Sequence, residues 1–222
     1  MFEDRRAAGR ALARAVRDEL GAGFDPDHTL VLALPRGGVP VGFEVAQALG
    51  LPLDVVVVRK LGVPGQEELA MGAIAGGGIV VVQPEVMRAF AISQETLAAV
   101  TQRERREIER REAAFREGQP PARTAGQTVV LVDDGLATGS TMTAAARSLR
   151  PVAGRLVVAV PVAARSTCEQ LRGEVDQVVC LETPERFQAV GESYRNFEQT
   201  SDEEVRALLA LARGGSVSGS GV

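Results

Sequence analysis

Short runs of the chain at 29–34 (TLVLAL), 53–58 (LDVVVV), 128–132 (TVVLV), 156–160 (LVVAV) and 175–181 (VDQVVCL) are rich in β-branched residues and largely apolar. A strand with one wet face alternates apolar and polar residues, whereas runs without alternation belong to strands buried on both faces. That is the condition of a parallel sheet covered by helices on each side, and no other feature constrains the fold as much. Helical periodicity supplies the covering. An opening segment at 3–20 places Ala7, Ala8, Ala11, Leu12, Ala15, Val16 and Leu20 along one face and ends at Gly21 and Gly23. Further helices are expected at 39–49, 141–149 and 166–171, and a further strand at 79–82 after Gly76, Gly77 and Gly78. The expected class is α/β.

A length of 222 residues suits one domain with a small accessory lobe, and 45% hydrophobic content is enough for a sizeable core. The formal charge of −4 and pI near 5.3 argue against nucleic acid or an anionic membrane as partner. The longest apolar stretch, 156–164, is too short to cross a bilayer, and the first twenty residues mix acids with arginines in a way no leader does. Cys168 and Cys180 form no CxxC pair, so neither a disulfide scaffold nor a zinc site is suggested, and a reducing cytoplasm fits. His28, the one histidine, sits among Asp25, Pro26 and Asp27 in an expected surface loop, which removes histidine triads and multi-histidine metal sites within one chain. Lys60 is the one lysine among 25 basic residues, and so invites a functional explanation.

Residues 93–117 read as one long helix with few core-facing residues, chiefly Leu97, Val100, Ile108 and Phe115. An arginine-rich binding helix is one reading of this segment; the mixed signs, with Glu107 and Arg111, and Glu112 and Arg116, at the supportive i, i+4 spacing, favour the other, a solvated helix laced by weak ion pairs. Gln119, Pro120 and Pro121 break it. The Gly/Ser-rich stretch 214–222 reads as a flexible tail or the start of a linker.

The chemistry is concentrated at 128–141 (TVVLVDDGLATGST). A buried strand delivers Asp133 and Asp134 to its C-terminal end, where ligands sit in open α/β sheets. Gly135, Thr138, Gly139, Ser140 and Thr141 then form a small-residue turn opening a helix, so backbone N–H groups and the positive helix end face one anion. Carboxylates beside a phosphate cradle suit a ligand with hydroxyls at one end and a phosphomonoester at the other, as in ribose 5-phosphate. A Walker A loop needs a lysine before its Ser/Thr, and Gly139 stands there. The glycine spacing also departs from that of a dinucleotide fold.

The apolar strand, the acidic pair and the x-x-x-T-G-x-[ST] that follows resemble the phosphoribosyl-pyrophosphate (PRPP) signature of type I phosphoribosyltransferases. The resemblance implies a Rossmann-like parallel sheet flanked by helices, with a small C-terminal hood lobe at about 182–200 and a helical insertion at about 84–118, within a single domain spanning 1–213. It implies transfer of 5-phosphoribosyl from PRPP to a nitrogenous base with release of pyrophosphate, Mg2+ as cofactor held near Asp133 and Asp134 through PRPP, and a homodimer. Residue by residue, Gly135, Ala137, Thr138, Gly139, Ser140 and Thr141 would hold the 5'-phosphate. The turn 34–38 (LPRGG) would grip pyrophosphate through Arg36, Gly37 and Gly38, with the bond before Arg36 a candidate for a cis peptide, joined by Arg59 and Lys60 ahead of a mobile loop at 61–70. Catalysis would rest on Asp133, Asp134, Lys60 and Arg36. In the hood, Phe187 and then Tyr194 are the candidates to stack on a base, a packing role being equally open to them.

One departure stands out. Many purine-type members carry an acid where this chain has Ala137, and alanine takes no proton from an attacking base. A second reading therefore stays open, a protein that senses PRPP or a nucleotide without catalysing transfer.

Overall fold

The computed structural model describes residues 1–76, 78 and 80–215. Five parallel strands form the central sheet: β1 (Thr29–Ala33), β2 (Leu53–Val55), β6 (Thr128–Val132), β7 (Arg155–Val162) and β8 (Gln177–Glu182), in the order β2-β1-β6-β7-β8. Three more, β3 (Val58–Val63), β4 (Gln66–Ala75) and β5 (Val80–Val82), make a separate antiparallel sheet. The helices are α1 (Arg5–Leu20), α2 (Gly38–Leu49), α3 (Pro84–Ala89), α4 (Gln94–Arg116), α5 (Ser140–Leu149), α6 (Arg165–Leu171) and α7 (Asp202–Gly215).

Each central strand sends alternate side chains to opposite faces. Val31, Ala33, Val130, Val132 and Val157 pack with Leu12 and Val16 of α1, Val41 and Val45 of α2, and Leu208 of α7. Leu30, Leu32, Leu131, Leu156 and Val158 pack on the other face with Met142 and Ala146 of α5 and Leu171 of α6. The two covered faces are why the strands read as unbroken apolar runs.

Several boundaries differ from the sequence reading for identifiable reasons. The run 53–58 is not one strand: Val56 N–H still donates to the Ala33 carbonyl at 3.1 Å, but Val57 N–H donates to the Glu112 side chain at 3.2 Å. A carboxylate from α4 replaces the ladder there, and the chain leaves the core to begin β3 at Val58. The segment 61–70, expected as a mobile loop, lies mostly in the β3–β4 hairpin, turning at Pro64 and at Gly65, whose φ is 80°. Of the strand expected at 79–82, Val80–Val82 is present as β5, while Gly77 and Ile79 lie outside the described residues. The expected tail is helical as far as Gly215, and 216–222 lie outside the described residues. The helix α7 itself was not anticipated, although Ser201 accepts the Glu204 N–H at 3.1 Å and acids fill its first turn, a conventional helix start.

The largest correction concerns α4, whose predicted solvated face is partly buried. Glu104, Glu112 and Arg116 are each no more than 8% exposed. Arg116 Nε donates to both Asp54 oxygens at 2.9 and 3.1 Å, its Nη1 to Glu112 at 2.7 Å and its Nη2 to the Val55 carbonyl at 2.9 Å. Asp54 also accepts the N–H groups of Val55 and Ala122, both at 2.8 Å. A buried ion network contributes little net stability compared with apolar packing, but it demands one geometry, and removing a member leaves uncompensated charge. Arg116→Met, which strands Asp54 and Glu112, is expected to lower the unfolding free energy by about 3–5 kcal/mol in a denaturant titration.

Candidate functional site

The chain runs from β1 through α2 to β2 on one side, and β6 lies on the other side of β1. The two loops that diverge there, 34–38 after β1 and 133–139 after β6, lie together at the C-terminal ends of paired strands, the position at which open α/β sheets bind ligands. The loops touch. A Cβ on Gly37 would collide with Asp134 Oδ2, and one on Gly38 would lie 2.8 Å from the Val132 carbonyl oxygen. Only glycine permits that approach. The Pro35–Arg36 peptide is cis, as the resemblance suggested.

Asp133 Oδ1 accepts the Asp134 N–H at 2.9 Å. Arg5, in the first turn of α1, donates from Nε to Asp134 Oδ2 at 2.7 Å and from Nη1 to the Glu198 carbonyl at 2.6 Å. Its guanidinium lies 3.9 Å from the centre of the Phe197 ring, which is stacked on Tyr194. Tyr194 in turn donates its hydroxyl to the Asp134 carbonyl. Burial pushes both carboxyls above the ordinary range, and Asp133 rises further because the Asp134 charge lies beside it, while Arg5 draws Asp134 partly back. Burial also raises the Tyr194 hydroxyl, keeping it a donor.

Gly139, at φ 68°, turns the chain into α5, with Ser140 and Thr141 exposed on its first turn and Thr138 Oγ1 3.1 Å from Ser140 Oγ. Thr167 donates its hydroxyl to the Ala137 carbonyl at 2.7 Å, and Gly135 is closely packed by Val162 and Val190. The 135–141 loop is thus held from α6, from β7 and from Val190 after β8.

Two cavities meet at Val58 and Thr141. One of about 590 Å³ lies between α5 and the hairpin, with Lys60, Gln83, Ser140 and Arg147 among its walls. The other, of about 280 Å³, lies over the turn at Leu34, Pro35 and Arg36 and reaches Arg110 and Arg111 of α4. Neither has Asp133 or Asp134 in its wall.

Arg59 leaves its expected grouping, and the two aromatic candidates occupy packed positions of the kind that was equally open to them. Arg59 and Lys60, adjacent on β3, point to opposite faces: Arg59 Nε donates to Glu104 of α4 at 2.9 Å, while Lys60 lines the larger cavity. Arg59 therefore anchors α4 and does not join Lys60. Tyr194, 5% exposed and contacted by Phe2 and Phe197, is framework for Asp134 and offers no face to a base. Phe187 is half-buried against the small cluster of Ala8, Val162 and Tyr194. Conversely, sequence reasoning missed Arg5, because nothing in an amphipathic first helix announces a partner 129 residues away. His28 is exposed beside Asp25, as expected, but it ends a single 3-10 turn, Pro26–His28, in place of an irregular loop.

The donor set bears on magnesium. Among the described residues no group of three or more His, Cys, Asp or Glu is placed to hold a metal ion. Magnesium commonly keeps waters and binds through one or two carboxylates plus substrate phosphates, and the Asp133–Asp134 pair fits an ion delivered with such a ligand.

Comparison with known proteins agrees with the architecture. A family model described as the phosphoribosyl transferase domain matches residues 1–196. Two proteins of Mycobacterium tuberculosis, each named a "putative phosphoribosyl transferase", are 46% identical over 213 residues. These cover 96% of this chain but 47% of the relatives, so the chain spans about half the length of the curated relatives it matches. The crystal structure of TT1426 from Thermus thermophilus superposes with a TM-score of 0.82 at 43% identity, covering 94% of this chain and 97% of that one. AQ2163 from Aquifex aeolicus shares the fold alone, with a TM-score of 0.52 at 11% identity over 92% of this chain and 85% of that one. The chain belongs to the phosphoribosyl transferase domain family, with the type I fold of a parallel sheet flanked by helices. No helix among the described residues is long and apolar enough to cross a membrane.

Two outcomes follow from this geometry. Gly37→Ala is expected to break the Arg5–Asp134 contact and destabilise the fold by about 1–3 kcal/mol, as overpacking does, measured by chemical denaturation. Asp133 has a folded pKa above its unfolded value, so its ionisation opposes folding increasingly as pH rises from the unfolded value through the folded one. Asp133→Asn should therefore raise the melting temperature at neutral pH, with the gain vanishing below about pH 3.9, where the unfolded carboxylate is itself protonated.

Proposed function

We propose that this chain is a magnesium-dependent enzyme that transfers 5-phosphoribosyl from PRPP to a nitrogenous base and releases pyrophosphate. The observation that carries this reading is the meeting of the 34–38 turn with the acidic pair and the 135–141 loop across the paired strands β1 and β6. The three parts suit the three parts of PRPP. Backbone and hydroxyl groups from Gly135 to Thr141 would bind the 5'-phosphate at the start of α5, where the helix dipole favours an anion. Asp133 and Asp134 would hold the ribose hydroxyls, and Arg36, Gly37, Gly38 and Lys60 would face the diphosphate.

The chemistry this arrangement supports is displacement at the anomeric carbon. Positive charge develops on the sugar ring as the bond to pyrophosphate breaks, and two carboxylates held out of water favour that charge. A cation arriving with the ligand would draw both carboxyls back toward the ionised form. Arg5 keeps Asp134 oriented throughout. Arg36 and Lys60 offset charge on the leaving group. Magnesium, when bound with PRPP, would neutralise diphosphate oxygens and stabilise that leaving group.

A sensor that binds PRPP or a nucleotide without transfer is the second reading. Ala137 favours it, since its exposed methyl stands where purine-type members carry an acid, and its carbonyl is engaged by Thr167. We place the protein in the cytoplasm as a homodimer in either case; its two cysteines are free thiols.

Isothermal titration of PRPP with and without magnesium, followed by pyrophosphate release against a panel of nucleobases, separates these readings. Binding with base-dependent release supports the transferase and names its acceptor; binding without release supports the sensor; no binding overturns both. For the transferase, Asp134→Asn is expected to lower kcat/KM about a hundredfold, the range for losing one preorganised electrostatic group. An unchanged rate in that variant would remove Asp134 from the mechanism.

A further inference from the structure

The inserted helix α4 is held to the core at two levels. Glu104 accepts from Arg59 Nε and Arg103 Nε, both at 2.9 Å, and two turns later Glu112 and Arg116 join the buried network with Asp54. Buried charge gains little stability over apolar packing, but it fixes register, since sliding the helix by one residue would strand several ionised groups out of water. The turn so fixed carries Arg110 and Arg111.

Both arginines reach the cavity of about 280 Å³ over the 34–36 turn, whose opposite wall includes Arg36 and Thr141. Arg110 grips both oxygens of Glu107 at 2.9 Å, and Arg111 Nε reaches Glu107 Oε1 at 3.1 Å. One carboxylate is thus shared between two guanidiniums, and Glu107 is held down to about pKa 2, chiefly by Arg110. Across the cavity Arg36 Nη1 lies 3.4 Å from Asp202 Oδ1. Three guanidiniums face two carboxylates, which leaves the cavity electropositive. Its volume of about 280 Å³ falls just below the usual range for small-molecule pockets, about 300–1,000 Å³, and so suits a compact anion.

We infer that α4 is part of the donor-binding site, and that Arg110 and Arg111 complete with Arg36 a cationic wall for the diphosphate arm of a phosphoribosyl donor. This rests on the PRPP reading above and adds binding residues that the resemblance did not supply. Guanidiniums suit the task because their planar fork can make paired, charge-assisted hydrogen bonds to phosphate oxygens. Anchored backbone on either side lowers the ordering cost on binding, so the insertion serves the site as a preorganised wall.

The test is isothermal titration of inorganic pyrophosphate with magnesium into the intact chain and into Arg110→Gln, Arg111→Gln and the double variant. Arg106→Gln serves as a control, losing the same charge from the same helix outside this cavity. Ribose 5-phosphate, titrated into the same samples, reports on the 135–141 loop. Each single variant should weaken pyrophosphate binding about tenfold and the double about a hundredfold, the scale of charge-assisted contacts, with ribose 5-phosphate and the control within about twofold of the parent. Unchanged pyrophosphate binding in the double variant, with ribose 5-phosphate bound normally, overturns this inference and leaves the donor-site reading standing. An equal loss in Arg106→Gln, or an equal loss of ribose 5-phosphate, also overturns it by marking a general charge or folding effect. A parent chain that binds neither ligand overturns both readings.

Discussion

The parallel pairing of β1 with β6, in register from Thr29 opposite Thr128 to Ala33 opposite Val132, governs the rest of the site. Strands so paired end at the same level, and the turns that follow them must share one space. Gly37 and Gly38 make that possible, since any side chain there would collide with Asp134 or with the backbone of β6. The acidic pair consequently lies beneath a turn of backbone, withdrawn from water on that side. This raises both carboxyls and gives them their electrostatic reach.

A pair of adjacent half-buried carboxylates is unstable unless something holds it, and the holding groups come from far along the chain. Arg5 arrives from the first helix, Tyr194 and Phe197 from the segment after β8, and the three form one cluster over Asp134. That segment therefore acts as a support for the acidic pair. This explains why its tyrosine is buried and its aromatic faces are mostly spent on each other.

The segment that carries α4 follows the same physical logic at larger scale. Its helix reads as polar on nearly every turn, yet Glu104, Glu112 and Arg116 are among the least exposed charged groups in the described residues. They bind one another, Arg59 and the strand end at Asp54, and through the Val57 N–H they also end the second core strand. The departure of the chain into the antiparallel hairpin and the position of the arginine-bearing turn thus have a common cause.

The sequence by itself determined the class of fold and pointed to Asp133–Thr141 as the centre of the candidate site, because both readings rest on local pattern. Runs apolar on both faces mean doubly covered strands wherever they occur, and an acidic pair followed by a glycine-rich helix start has its geometry within fourteen residues. Tertiary structure alone decided which charges meet. Arg5 and Asp134 are 129 positions apart, Arg116 and Asp54 are 62 apart, and no periodicity in either segment encodes the other. Arg59 and Lys60 show the same limit at the shortest range: strand alternation requires them to diverge, but only the packed helices on either side determine that one is an anchor and the other a cavity wall. Local pattern reports burial and turn chemistry, whereas the pairing of charges depends on chain segments that meet only after the sheet has formed.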